Sequence, residues 1–376
     1  MTHHRPSHAT LFQLATIAGL ELANRVVVAP MTRASATEDG RATPRMAEYY
    51  ADFASGGFGL IVSEGIYTDR AHSQGYANQP GLTDDAQVAA WRRVTEAVHA
   101  AGGRIFAQLM HAGGQGQFNR FVSGTVAPSA IAPKGAKLAN YGAEGPYDVP
   151  RALDRDGLRQ IRDGFVASAR NAVEAGFDGI EIHGANGYLL DQFLTDYTNA
   201  RDDVYGGDVG ARVRFPAEVV TSVSAAVGLE VPVGIRLSQI KVGDNEHEWA
   251  GGLADAKVIF ASMAMAGADF VHISEFDARR PAFAGIGPSL AAVARSFSGL
   301  PVMVAGDLGD APRAAAVLAD GEADFVAIGK AALADPLWAW QVRSGATAIP
   351  FDGALFSNGP TIEGVDAWRR VQMAMS

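Results

Sequence analysis

Short, nearly uninterrupted apolar runs recur along the chain. Most are reached through a glycine that ends a helical pattern, followed by a brief linker. The arrangement is visible in ASGGFGLIVSEG, HAAGGRIFAQLMH, EAGFDGIEIHG, MAGADFVHISE and DGEADFVAIGK, and NRVVVAP, VPVGIRLS and LPVMVAGD supply three more runs. They predict eight strands near residues 25–29, 58–64, 104–110, 178–183, 232–237, 269–274, 301–305 and 324–328. Runs without polar alternation suit strands covered on both faces, hence parallel ones. Between them the period becomes helical. TPRMAEYYADFAS offers Thr43 as N-cap with Pro44 in the first helical position. TDDAQVAAWRRVTEAVHAA offers Thr83 as cap with acids in the first turn, and DGLRQIRDGFVASARNAVEAG spaces its apolar residues helically. Later helices are expected over 211–227, 253–266, 288–296, 310–318 and 335–343.

Eight alternations of strand and helix predict an α/β architecture, a single (β/α)8 TIM barrel spanning 1–376. A doubly wound open sheet is the alternative. It loses ground because no G-x-G-x-x-G follows a strand and opens a helix. Two connections are too long for plain strand-to-helix loops. Residues 112–155, rich in Gly, Pro and Ala, are expected to form a lid or small excursion, and 185–210 hold the short helix GYLLDQFL and a polar turn. Both follow strands, so both belong at the C-terminal mouth, where barrel enzymes place their chemistry. Residues 1–20 are expected as a tail and lead-in to the barrel, and 345–376 as a C-terminal tail.

Composition narrows the chemistry. With 48% hydrophobic and 19% charged residues in 376, the chain has a globular make-up. A net charge of −10 argues against nucleic-acid or anionic-membrane partners. There are no cysteines, which excludes disulfides, thiolate zinc sites, cysteine-ligated iron–sulfur clusters and a cysteine nucleophile, and fits a cytoplasmic location. MTHHRPSHAT lacks the apolar stretch of a signal peptide, and no apolar run is long enough to span a bilayer. There is no HExxH and no GxSxG, and the histidines of HHRPSH read as a tail, so no metal is assigned.

Polar residues sit where the strands end. They are Thr32 after the first; Glu64 and Gly65 after the second; Gln108 and His111 on the third; His183 and Asn186 after the fourth. The series continues with Arg236 on the fifth, His272 and Glu275 on the sixth, Gly306 and Asp307 after the seventh, and Gly329 and Lys330 after the eighth. Convergent donors around an apolar cup suit a bound planar cofactor. Each residue also has a plainer reading. A strand-end histidine such as His183 is often a satisfied core residue, and His111 and His272 are left there. Gln108 could be a core hydrogen-bonder and Lys330 a solvated helix start. Arg236, inside an apolar run, needs either a ligand or an acidic partner. Glycines with Lys330 after strands seven and eight match the phosphate seat of many barrels.

This ordered set resembles the old yellow enzyme family of FMN-dependent ene-reductases, over residues from about 11 to 340. The motifs that carry the resemblance are LFQLATIAGLELANRVVVAPMTR, QLMHAGGQ, GFDGIEIHGANGYLLDQFL with TNARDDVYGG, GIRLS and ADFVAIGKAALADP. The resemblance implies that Thr32 bonds the reactive edge of the flavin, with Pro30, Met31 and the Gly65 backbone alongside the ring. It implies that Gln108 and Arg236 contact the pyrimidine portion, and that Gly306, Asp307, Gly329 and Lys330 lie at the phosphate. His183 and Asn186, one helical turn apart, would clamp the substrate oxygen, and Tyr188 would donate the proton. Taken alone, Tyr188 would read as a ring packed under the lid; the His-x-x-Asn-x-Tyr spacing reverses that.

The implied reaction moves hydride from NADPH, with NADH as the other candidate donor, through FMN to the activated C=C bond of an unsaturated carbonyl or nitro compound. A dehydrogenation or isomerisation on the same flavin scaffold is one alternative, and a flavin-binding protein without catalysis is another. A non-flavin, phosphate-binding aldolase or isomerase is a further one, but no Schiff-base lysine or strand-borne glutamate base stands out. The substrate, the nicotinamide preference and any homo-oligomeric state are not legible in the sequence. Several segments depart from the family pattern. Lys330 stands where Arg is usual, and Asp307 where Gly is common. Met110 replaces a frequent Trp, GDVGARVRF lacks the acid and amide that commonly begin the next helix, and KVGDNEHEWAGG after strand five is atypical. Phe351 and Phe356 are candidates for the C-terminal wall.

Overall fold

The computed structural model describes residues 8–283, 285, 287–357 and 359–375; residues 1–7, with most of the HHRPSH stretch, lie outside the described residues. Eight parallel strands close into a barrel: β1 Val26–Val28, β2 Leu60–Tyr67, β3 Ile105–Met110, β4 Gly179–Asn186, β5 Val233–Lys241, β6 Phe270–Ser274, β7 Val302–Ala305 and β8 Phe325–Ile328. Neighbours in sequence are neighbours in space, and β8 returns to β1. Helices follow the strands, so the chain adopts the (β/α)8 TIM-barrel fold.

Strand alternation sorts the side chains into two sets. Val26, Val28, Ile105, Leu109, Ile180, Ile182, Ile235 and Val271 face outward and pack under the helices. Val27, Leu60, Val62, Phe106, Phe270, Met303 and Phe325 point inward and fill the lower barrel. The Phe106 and Phe270 rings lie 5.7 Å apart. They fit because β4 opens with a glycine: a Cβ at Gly179 would fall 2.5 Å from Phe106. A hairpin, Ala15–Ile17 with Leu20–Leu22, plugs the bottom with Ile17 and Leu22. One step higher on the same inward faces the residues turn polar. Gln108 lies opposite Glu181, and Arg236 opposite both His183 and His272. An apolar floor thus carries a charged tier at the level where the mouth begins.

Several expected boundaries move. β2, β4 and β5 each run three or four residues further towards the mouth than expected. Asp84, not Thr83, caps the helix Asp85–Ala100, accepting the N–H of Gln87; the Thr83 hydroxyl goes to Gln87 Oε1 at 3.0 Å instead. GDVGARVRF is capped after all: Asp208 accepts the N–H of Ala211 at 2.9 Å and starts the helical turn Val209–Arg212. The helix expected over 335–343 is found as Trp338–Ser344, and a separate short helix, Lys330–Ala334, precedes it and ends before Pro336. Residues 112–155 contain a two-residue parallel pairing, Val126–Ala127 with Arg151–Ala152, and a 3-10 turn, Ala139–Tyr141. Residues 345–376 are more than a tail. They carry a 3-10 turn, Gly353–Phe356, and the helix Ile362–Met375. Leu355, Val365 and Trp368 pack on Leu333 and Ala334, and Asp366 takes a bidentate bond from Arg45 at 2.8 and 2.9 Å.

Candidate active site

A cavity of about 1340 Å³ opens at the C-terminal ends of the strands. It is lined by Pro30, Met31 and Thr32 after β1, Arg236 on β5, Gly306 and Asp307 after β7, and Gly329 and Lys330 after β8. Phe351 and Phe356 close one wall, where their rings lie 5.9 Å apart. Eight of the site residues expected from sequence therefore share one cavity, larger than a single drug-sized ligand requires.

At the end formed by β7 and β8, Gly306 is packed against backbone: a Cβ there would fall 2.6 Å from Ala278 N and 2.7 Å from Glu275 O. A Cβ at Gly329 would meet only ordinary contacts, 3.8 Å from Ala29 Cβ and from Met31 Sδ. Asp307 follows in the left-handed region at φ 48°, a conformation that favours glycine. The Lys330 ammonium lies on this lining, 5.7 Å from the centre of the Phe351 ring. Arg313, nearby, is bonded to Asp277.

The charged tier is an ordered network. Gln108 Nε2 donates to Glu181 Oε1 at 2.7 Å, and His272 Nδ1 lies 2.6 Å from Glu181 Oε2. Burial alone would raise the Glu181 carboxyl, but His272, Arg236 and Gln108 outweigh it and hold it below the ordinary range. Gln108 thereby has one of its two amide N–H donors engaged by Glu181. Arg236 gives Nη2 to Ser274 Oγ at 2.9 Å, while its Nε is buried with no protein partner. A buried, unpaired guanidinium nitrogen on the wall of an open cavity calls for an acceptor from a ligand. The fit to an isoalloxazine and a single phosphate is good: a cationic donor at one end, glycines and a lysine at the other, and apolar Pro30, Met31 and Ala29 between.

The remaining expected residues lie beside this cavity rather than on its lining. His183 is 3% exposed, and its Nδ1 accepts the N–H of Ala185 at 3.3 Å. In a neutral ring the proton then sits on Nε2. Burial, with Arg236 and His272 adding like charge, lowers the His183 pKa well below the usual histidine value, so the ring is neutral near pH 7. Tyr188 meets it edge to face, with centroids 5.0 Å apart at 71°. Burial, reinforced by Tyr141 and Tyr147, raises the Tyr188 phenol well above its usual range. His183 and Asn186 are not a helical turn apart. Both belong to β4, which a register shift between Gly184 and Asn186 interrupts; Asn186 has φ 61° and gives its N–H to Ser238 Oγ at 2.8 Å. The irregularity turns the chain at the point where plain alternation would set the two side chains on opposite faces. Gly65 sits where a Cβ would strike Met110 Sδ at 2.5 Å, with Gln108 Oε1 3.5 Å away.

Sequence reasoning passed over three groups. The Tyr76 and Tyr141 phenols both lie close enough to Thr32 to interact with its side chain, the Tyr76 hydroxyl donates to Gly65 O at 3.4 Å, and the two rings stack 5.1 Å apart. Tyr141 comes from the 112–155 excursion; it lines the cavity and packs with Tyr76, Met110 and Tyr188. Nothing local in the sequence signals that contact. Glu181 was legible in principle, since it lies two residues before His183 inside an apolar strand and therefore shares its face. Lys241 and Asp191, a buried pair, are the third. Among the described residues no cluster of three or more His, Cys, Asp or Glu is arranged to hold a metal, and no helix is long and apolar enough to cross a membrane.

Fold and site together define a barrel oxidoreductase with a seat for a flavin mononucleotide. Residues 10–348 match the NADH:flavin oxidoreductase / NADH oxidase family, and the chain belongs to it, the family of the FMN-dependent old yellow enzymes. It is 36% identical over 363 residues to the chanoclavine-I aldehyde reductase of Penicillium roqueforti, covering 92% of both chains. It is 34% identical over 362 residues to the NADH oxidase of Thermoanaerobacter brockii, covering 92% of this chain but only 52% of that one. The chain thus spans about half the length of that relative. The old yellow enzyme homologue of Zymomonas mobilis superposes with a TM-score of 0.80 at 33% identity, over 95% of this chain and 96% of that one.

Proposed function

We propose that the chain is an FMN-dependent ene-reductase that takes hydride from NADPH or NADH and reduces the activated C=C bond of unsaturated carbonyl or nitro compounds. The observation that carries this reading is the pairing of His183 and Tyr188, one neutral donor and one protonated acid in ring contact beside a flavin-sized cavity. Thr32, Gln108 and Arg236 would hold the isoalloxazine, with Pro30, Met31 and Gly65 alongside. Gly306, Asp307, Gly329 and Lys330 would take the phosphate. FMN, when bound, supplies the two-electron exchange between nicotinamide and alkene.

The chain's own part is electrostatic and prototropic. His183 offers Nε2–H to the carbonyl or nitro oxygen, with the Asn186 amide as second donor, and the two stabilise negative charge developing on that oxygen. Because His183 is neutral, it donates without placing a competing cation beside Arg236. Tyr188 holds its proton on Oη across the working pH range and releases it to the adjacent carbon only as carbanion character develops there. The test is direct. The purified protein should be yellow, bleach on addition of NADPH or NADH, and regain colour with 2-cyclohexenone under argon. Bleaching of the oxidised flavin by the saturated ketone, with no recovery of colour on the enone, would favour the dehydrogenase direction, and a colourless protein would overturn the reading.

A further inference from the structure

The turn that carries Asn186 and Tyr188 is gripped from below by a buried ion pair. Lys241, the last residue of β5, places Nζ 2.6 Å from Asp191 Oδ1, and the two side chains are 4% and 0% exposed. The other carboxylate oxygen, Oδ2, accepts the N–H of Gly187 at 2.6 Å. Gly187 is the single residue between Asn186 and Tyr188, the N-cap of the next helix, Leu189–Leu194. The same end of β5 holds the preceding residue. Asn186 pairs with Lys241 across the sheet and gives its N–H to Ser238 Oγ, while its carbonyl accepts the N–H of Val242 at 3.2 Å. Asp191 therefore acts as a two-sided clasp, with Lys241 on one oxygen and the turn on the other.

A buried ion pair of this kind adds little stability over a well-packed apolar pair. Its distinctive property is directional: an ammonium and a backbone N–H, fixed on the two oxygens of one carboxylate, leave the turn one position. Lys241 also opens KVGDNEHEWAGG, the segment unlike the family pattern. Beyond it, Asp244 binds Lys134 of the 112–155 excursion at 2.9 Å, and Lys134 lies 4.0 Å from the centre of the Tyr197 ring. The atypical segment thus joins the excursion to the turn.

We propose that Lys241 is a positioning residue: through Asp191 and Gly187 it fixes the directions in which Asn186 and Tyr188 present their donors to substrate. This rests on the reading of His183, Asn186 and Tyr188 given above. Lys241 touches no substrate itself. Its loss should misplace the clamp and the acid without disturbing FMN, whose seat is built from Arg236, five residues earlier on β5, and from other strand ends.

Two double variants test it without leaving a buried charge. K241M/D191N keeps an acceptor for the Gly187 N–H, whereas K241M/D191A does not. The probe is a phenol, 4-hydroxybenzaldehyde, whose phenolate mimics an oxyanion and whose binding perturbs the flavin spectrum. With FMN content and melting temperature matched, K241M/D191N, which lacks the ammonium, should bind it at least tenfold more weakly than the parent, and K241M/D191A, which also lacks the acceptor for Gly187, more weakly still. Reoxidation by an enone should follow the same order, while bleaching by the nicotinamide stays constant. Phenol affinity of K241M/D191N within threefold of the parent overturns the proposal. His183→Ala serves as the control for the underlying reading. If it leaves phenol affinity intact, the clamp itself is misassigned and both readings fall; if it abolishes binding while K241M/D191N binds like the parent, only the role of Lys241 falls.

Discussion

Glu64, at the mouth end of β2, accepts the backbone N–H of Arg33 at 2.9 Å through Oε2, and the same oxygen takes the N–H of Ala34 at 3.2 Å. A buried carboxylate thereby anchors the loop that presents Thr32. Tyr50 supplies the other contact, its hydroxyl accepting the Glu64 N–H at 3.0 Å. These bonds favour the charged form, yet burial outweighs them and pushes the Glu64 carboxyl up to about 7.

Stability should therefore respond to Glu64 in a stated direction. Its folded value lies above the ordinary 4.5, so the folded state binds the proton more tightly. That contribution is complete at acid pH and is lost as pH rises through about 7, a swing of about 3 kcal/mol. Glu64→Gln keeps an acceptor for Arg33 and Ala34 but cannot ionise. The stability of the variant relative to the parent should rise between pH 4.5 and 8, measured by denaturant unfolding of FMN-loaded protein. Parallel pH profiles for the two proteins would refute the assignment.

The phosphate seat should be improvable. Asp307 carries a side chain at φ 48°, and Lys330 supplies its cation on the same lining. Asp307→Gly relieves the backbone and removes a negative charge beside a bound phosphate, so FMN should bind more tightly, severalfold or more. Lys330→Ala should weaken it by about 10-fold to 100-fold, the worth of one charge-assisted bond. Fluorescence titration of the apoprotein with FMN reads both. A weaker D307G or an unaffected K330A would place the phosphate elsewhere.

Glu181 offers a test beneath the flavin seat. Its charge offsets that of Arg236 inside the barrel. Glu181→Gln preserves the volume but leaves the guanidinium uncompensated. The midpoint potential of bound FMN should rise by about 30 mV, a tenfold change for a two-electron couple. Spectroelectrochemistry measures it, and a fall in potential would show that Arg236 does not face the flavin.

The barrel and its mouth were legible because both follow from periodicity. Every expected strand exists, and alternation along β4 and β5 accounts for why Glu181, His183 and Arg236 face the same interior. What escaped depends on contacts between distant segments. Tyr141 reaches Thr32 from 109 positions away along a connection with no periodicity of its own. The irregularity that reorients Asn186 is a register event between two strands, and one strand's sequence does not contain it. Thr83 against Asp84 was a local choice between two competent caps, decided when the Gln87 side chain bonded Thr83. The C-terminal helix was hidden by its amphipathic, mixed composition, and it gains its place by packing on Leu333 and Ala334.

The acid assignment can be isolated from everything else at the site. Tyr188→Phe keeps the ring that meets His183 edge to face and removes only Oη with its proton. Bleaching of the flavin by nicotinamide does not involve Tyr188, so its rate should be unchanged. Reoxidation by an unactivated enone should slow by about 10²–10⁴, the usual worth of general acid catalysis. A nitroalkene should be affected much less, because its nitronate product is stable enough to leave unprotonated. Since burial holds the phenol far above its usual range, the parent should show no alkaline loss of enone reduction from Tyr188 below about pH 10. Stopped-flow measurement of the two half-reactions, with enone and nitroalkene in parallel, separates these outcomes. A variant that slowed both substrates and the bleaching step alike would be damaged rather than acid-deficient, and Tyr188→Leu, which also removes the ring contact, gives the benchmark for that damage. Enone rates equal in parent and Tyr188→Phe would assign proton delivery to water or to another group at the mouth.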